Sequence, residues 1–125
     1  MGIRVDEDEL RRWVDEGLVP AKALGLPERQ PLLDIDEKEF QTQVVSLAKR
    51  NGWKVYHTYS SKRSEPGFPD LVFRRAGRII VAELKVGDNT PTEEQEEWLA
   101  DFRAAGIPTF VWTPASWPEI VEVLK

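Results

Sequence analysis

The sequence contains no cysteine, which excludes a disulfide framework, a thiolate zinc site and a cysteine nucleophile. Its single histidine excludes histidine-rich metal centres, so any metal has to be held by oxygen. No apolar run approaches the roughly 20 residues of a membrane helix, and no apolar core follows a basic N-terminus as in a secretory signal. A soluble, cytoplasmic protein with no membrane partner is expected. Internal repeats and low-complexity tracts are also missing. Positive charge is in deficit, with 17 Lys and Arg against 22 Asp and Glu for a net charge of −5. That balance argues against broad nonspecific coating of nucleic acid and leaves room for a local basic patch.

What is present suffices for one core: 125 residues, of which 41% are hydrophobic and 10% aromatic. Residues 1–36 read as a helical appendage and linker. From Asp6, with Glu9 three residues on, Leu10, Trp13, Val14 and Leu18 recur at helical spacing, after which Gly17, Pro20, Gly25, Pro27 and Pro31 punctuate the chain. Residues 37–125 carry the stronger signals. Phe40, Val44, Leu47 and Ala48 predict a helix to about Arg50, closed by Asn51-Gly52. Trp53–Tyr59 reads as a strand, Ser60–Pro69 as a loop, and Leu71–Arg75 and Arg78–Val86 as a hairpin around Ala76-Gly77. Thr90-Pro91-Thr92-Glu93 opens a helix to about Ala105, with Thr90 favoured as its cap by Pro91. A short strand over Thr109–Trp112 and a helix from Ser116 through Leu124 follow. The fold class is α/β of the α+β type: a mixed central sheet flanked by helices, its hairpin antiparallel and its last strand returned by a crossover helix.

The hairpin carries the most informative geometry. With the turn centred between Ala76 and Gly77, Asp70 stands directly opposite Glu83. Alternation puts Val72, Ile79, Val81, Glu83 and Lys85 on the face of Asp70, and Leu71, Phe73, Ile80, Ala82 and Leu84 on the other. Paired acids repel unless something positive lies between them, and a hard divalent ion with oxygen ligands is the natural partner. Taken alone, an Asp, Glu and Lys on a sheet face more often form a surface salt bridge. Pro66-Gly67-Phe68-Pro69 shifts that balance, because it delivers the chain to Asp70 through a constrained turn.

Gly67-Phe68-Pro69-Asp70, then Ala82-Glu83-Leu84-Lys85, then Thr92-Glu93-Glu94-Gln95 resemble the PD-(D/E)XK nuclease superfamily and specifically its VRR-NUC branch, over roughly residues 36–115. The resemblance implies an αβββαβ core in which Asp70, Glu83 and the backbone carbonyl of Leu84 hold Mg²⁺ or Mn²⁺. It implies that Lys85 orients or activates the attacking water and stabilises charge on the phosphate. A glutamate of the first helix belongs to such a site, and helical phase turns Glu37 toward the apolar side and Glu39 toward the polar side. Glu37 is therefore chosen, with Glu39 as the alternative. Gln95 completes a capping box if Thr92 is the cap. If Thr90 is the cap, it lies on the stripe of Trp98, Leu99 and Phe102, and the family places such a glutamine beside the metal.

Local positive charge at Lys62 and Arg63 approaches the same end and is assigned to DNA phosphates; Arg74, Arg75 and Arg78 read as solvated tips or an interface. His57 reads as a half-buried strand residue, and Tyr56, Tyr59, Trp53, Trp98, Trp112 and Trp117 as core. The expected activity is that of a Mg²⁺- or Mn²⁺-dependent DNA endonuclease, selecting structure over sequence. Similarity to Holliday-junction resolvases implies junction DNA as substrate and a homodimer that makes two symmetric cuts; a bacterial or phage-infected cell is the expected setting. The rivals are a DNA-binding or assembly module that keeps the fold without cutting, and a small sequence-reading restriction or defence nuclease.

Overall fold

Asp36 starts the first helix by accepting a hydrogen bond from the Glu39 amide at 2.7 Å. A computed structural model of the chain describes residues 30–59 and 63–125, and this helix, α1, spans Glu37–Arg50. It buries Phe40, Val44, Leu47 and Ala48. Asn51 closes it with a backbone N–H to the last carbonyls, and Gly52 takes the left-handed conformation at φ +88°. Strands β1 (Lys54–His57), β2 (Leu71–Arg75) and β3 (Arg78–Leu84) follow. Helix α2 (Glu93–Ala104) then leads to β4 (Thr109–Trp112), and a 3₁₀ turn at Pro114–Ser116 opens α3 (Trp117–Val123). The strand order is β1-β2-β3-β4; β1 and β3 flank β2 antiparallel, and β4 runs parallel to β3. This is the expected mixed sheet with a crossover helix.

Leu71 pairs with Ala82 and Arg75 with Arg78, so the turn is centred between Ala76 and Gly77 as expected. Both turn residues have positive φ, +50° and +79°, the two-residue geometry that matches strand twist. One sheet face carries the main core, where Phe40 and Leu47 meet Leu71, Phe73, Ile80, Leu84, Trp112 and Ile120. On the opposite face Val81 and Leu99 are buried, and Phe68 meets Trp98 and Phe102 edge-on at ring separations of 5.2 and 6.2 Å.

Several expectations need correction. The first and third strands are shorter than predicted, because Trp53 leaves the ladder to donate from Nε1 to the Leu124 carbonyl at 3.0 Å and the chain beyond Leu84 leaves the β2 ladder. Tyr56 and Tyr59 are exposed rather than core, Tyr56 on the sheet face that α2 covers only in part and Tyr59 beyond the end of β1, where its ring lies 4.4 Å from that of His57. Arg75 and Arg78 are not free tips: both lie over the Trp53 ring, at 4.3 and 5.5 Å from its centre. The second helix is capped by Thr92 and not by Thr90. Pro31 and Ile35 are buried, so residues 31–36, read as linker, belong to the compact unit Pro31–Lys125. The helix expected from Asp6 lies outside the described residues, as does Lys62. No helix among the described residues is long and apolar enough to cross a membrane.

Candidate metal centre

Asp70 is set by three constraints that converge on the chain just before β2. Thr58 fixes it from β1: its amide donates to the Asp70 carbonyl at 2.9 Å and its hydroxyl to the Pro69 carbonyl at 2.9 Å. The preceding turn is fixed from α2, where Trp98 Nε1 donates to the Pro66 carbonyl at 3.1 Å. Gly67, at φ +85°, lies so close to α2 that a Cβ there would stand 2.6 Å from the Glu94 carbonyl carbon and 2.8 Å from the Gln95 nitrogen. No other residue fits this contact without moving the helix. The loop that delivers Asp70 and the helix that delivers Gln95 are therefore locked together.

The Asp70 carboxylate accepts from the Leu84 amide through Oδ2 at 2.8 Å. The register bears on the neighbouring Leu84 carbonyl as well. Continued two residues beyond the Leu71–Ala82 pair, it brings Pro69 opposite Leu84, and proline has no N–H to give the Leu84 carbonyl. One side of that carbonyl is thus left without a ladder donor, beside Asp70.

Glu83 is only 1% exposed, although it is a carboxylic acid. Its Oε1 accepts from Gln95 Nε2 at 3.3 Å and lies 3.8 Å from Lys85 Nζ, whereas its Oε2 is buried with no hydrogen-bond partner. Burial pushes the Glu83 carboxyl up to about 9. The neighbouring Asp70 carboxylate and the charge of Glu37 add to that effect, and Lys85 opposes it. Glu37, in the first turn of α1, is half-buried and its carboxyl is also raised, by desolvation first and Asp70 second, against Lys85. Glu37, Asp70 and Glu83 each bring one oxygen to within 4.8 Å of the others.

These residues fit a hard divalent cation on three grounds. The donor set is all oxygen, the buried Glu83 Oε2 is unpartnered, and the neighbouring carboxylates raise the proton affinity of Glu83 and Glu37. Asp70, Glu83 and the Leu84 carbonyl could hold the ion, and the geometry adds Glu37 as a third carboxylate donor. Glu39 is exposed on the far side of the helix. Lys85 follows β3 with its side chain 13% exposed, held by its amide to the Trp112 carbonyl at 2.9 Å.

Gln95 satisfies both sequence readings at once. Its Oε1 accepts from the Thr92 amide at 2.8 Å and its own amide donates to Thr92 Oγ1 at 3.2 Å, a complete capping box, while Nε2 turns to Glu83. Arg63 is exposed and makes no ion pair among the described residues. Sequence reasoning missed Thr58, whose role depends on a β1–β2 register hidden by a long loop, and the backbone contact of Gly67; the Gly67-Phe68-Pro69 string was the available signal for the latter.

No family model matches the chain, and no curated protein matches it in sequence. A solved structure described as a VRR_NUC domain protein is similar over 72% of this chain and 85% of that one, with a TM-score of 0.57 and 23% sequence identity. The fold of this chain is VRR-NUC-like.

Proposed function

We propose that this protein is a metal-dependent DNA endonuclease that hydrolyses phosphodiester bonds. The observation that carries the reading is the convergence of Glu37, Asp70 and Glu83 within 4.8 Å, next to Lys85, on a VRR-NUC-like fold. Mg²⁺ or Mn²⁺, held by Asp70, Glu83 and the Leu84 carbonyl with Glu37 alongside, would supply Lewis acidity and a water of lowered pKa. The remaining work falls to the chain. Lys85 donates to a non-bridging phosphate oxygen, where negative charge grows as water oxygen bonds to phosphorus and the ester P–O bond breaks. Gln95 keeps Glu83 oriented, and Glu37 accepts a hydrogen bond from the incoming water. Lys62 and Arg63 are assigned to flanking phosphates.

The preferred substrate is proposed to be branched DNA, a four-way junction first, cut by a homodimer whose two sites act on symmetric strands. Purified protein incubated with linear, nicked, flapped and four-way DNA in Mg²⁺, Mn²⁺ or EDTA tests this directly. Cutting is expected with either ion, none in EDTA, and the four-way substrate first in rate. Binding without cutting in every metal condition would assign the chain to the non-cleaving rival. Efficient cutting of linear duplex at one sequence would assign it to the sequence-reading rival.

A further inference from the structure

Helix α2 covers only part of the sheet face that carries the carboxylates. It packs over β4, burying Leu99 on that side of the sheet along with Val81 of β3. Among the described residues the β1–β2 half of the same face stays open, and the register fixes what it displays. Thr58 stands opposite Asp70, Tyr56 opposite Val72, and Lys54 opposite Arg74, which is itself opposite Ile79. These residues share the face of Asp70 and Glu83 by alternation. Tyr56 is 59% exposed and Ile79 48%, and Lys54 and Arg74 are exposed. Arg75 and Arg78, by contrast, point to the other face and lie over Trp53.

Charge and spacing on this open face identify its occupant. Each step of two residues along a strand advances about 6.8 Å. Tyr56 and Val72 therefore lie one step from the carboxylate row, and Lys54 and Arg74 lie two steps away, roughly 14 Å. On a chain of net charge −5, this strip ends in two cations that form no ion pair among the described residues. An exposed aromatic ring followed by unpaired cations, leading straight out of a phosphodiester site, is the arrangement that holds a nucleic-acid strand by its bases and phosphates.

We infer that the open β1–β2 face is the track for the DNA strand leaving the cut, with Lys54 and Arg74 on its phosphates and Tyr56 packed against an unstacked base. Branch points supply such a base and continuous duplex does not, which makes Tyr56 a residue that selects structure. The inference rests on the endonuclease reading for its substrate. Its test reads binding in Ca²⁺, without cleavage.

Full-length protein is titrated with labelled four-way, flapped and linear DNA across a salt series. Lys54→Gln/Arg74→Gln should weaken binding to all three and reduce the slope of log affinity against log salt by about 1.8, two phosphate contacts' worth. Lys49→Gln/Lys125→Gln, which removes two exposed cations elsewhere, should leave the slope unchanged. Tyr56→Ala should lose at least about fivefold affinity for branched DNA with little change for linear duplex, and Tyr56→Phe should restore it. An unchanged salt slope in the track double variant, or equal losses on branched and linear DNA in Tyr56→Ala, overturns the inference. So does a Tyr56→Ala protein that changes its sedimentation but binds DNA normally, an outcome that gives the face to a second copy of the chain. A wild-type protein that binds through this track yet never cuts leaves the inference standing and removes the endonuclease reading. One that cuts with all track variants behaving as wild type does the reverse.

Discussion

The two ends of the β2–β3 hairpin are built from the same alternation of residues and are chemically opposite. At the turn the inward-facing guanidinium is satisfied: Arg75 lies over Trp53 and donates to the Asn51 carbonyl at 2.7 Å and the Lys125 carbonyl at 2.9 Å. At the open end a buried acid, Glu83, keeps one oxygen without a partner and faces two further carboxylates. The closed end ties β2 to β1, α1 and the chain's last residues. The open end carries a charge conflict that the fold tolerates because the rest of the hairpin overdetermines it. Stability and chemistry are thereby separated along one supersecondary unit.

Removing the conflict should break the comparison most strongly. Asp70→Asn and Glu83→Gln are each expected to lower cleavage of four-way DNA by at least about a thousandfold, roughly 4 kcal/mol of transition-state stabilisation. Glu83→Gln should melt no lower than the wild type in EDTA, because a neutral amide replaces a buried acid. Retained Mg²⁺-dependent cutting in both variants would sink the assigned centre.

Next comes pH, which should act on the open end alone. Glu83 keeps its proton in the folded, metal-free protein to about pH 9, against an ordinary value of 4.5. The folded state thus binds more protons than the unfolded one between those values, and this contribution to stability is full below about 4.5 and lost as pH rises toward 9. Melting in EDTA at stepped pH should show the decline, and Glu83→Gln should flatten it. A wild-type stability that rises across this window would contradict the placement of the proton.

A smaller effect separates the two glutamates of α1. Glu37→Gln should slow cleavage about tenfold or more, around 1.4 kcal/mol, with folding intact, and Glu39→Gln should change little. The reverse ranking would transfer the role to Glu39. The least effect belongs to the turn: Ala76→Asn should stabilise the protein by about 0.5–1 kcal/mol, since asparagine tolerates the positive φ that alanine resists, with no change in cleavage rate. A lower melting temperature would show that the Ala76 methyl has a packing role.

Much of this arrangement was legible before any coordinates. Period-two alternation around a two-residue turn fixed which hairpin residues face each other, and the 3.6-residue period placed Glu37 inward and Glu39 outward, because both periods are local and the residues involved are strongly apolar or charged. Other features depended on distant partners. The choice between Thr90 and Thr92 as helix cap was a contest between Pro91 and Gln95, settled by the reciprocal Thr92–Gln95 hydrogen bonds, while Gln95 Nε2 turns to Glu83 on another element. Thr58 and Gly67 act across loops whose path no periodicity records. Tyr56 read as core because β-strand aromatics usually pack, and only the partial cover by α2 leaves it open.

The single side chain of Gln95 links two events that are ordinarily independent. Its carbonyl oxygen closes the Thr92 amide at the start of α2, and its nitrogen closes on Glu83. Any ligand that draws the Glu83 carboxylate toward itself therefore pulls on the plug of a helix end. The Thr92 amide proton becomes a reporter for the centre, observable by hydrogen exchange or chemical shift without any substrate. Divalent-ion titration should register there even in a protein whose cleavage has been disabled at Lys85.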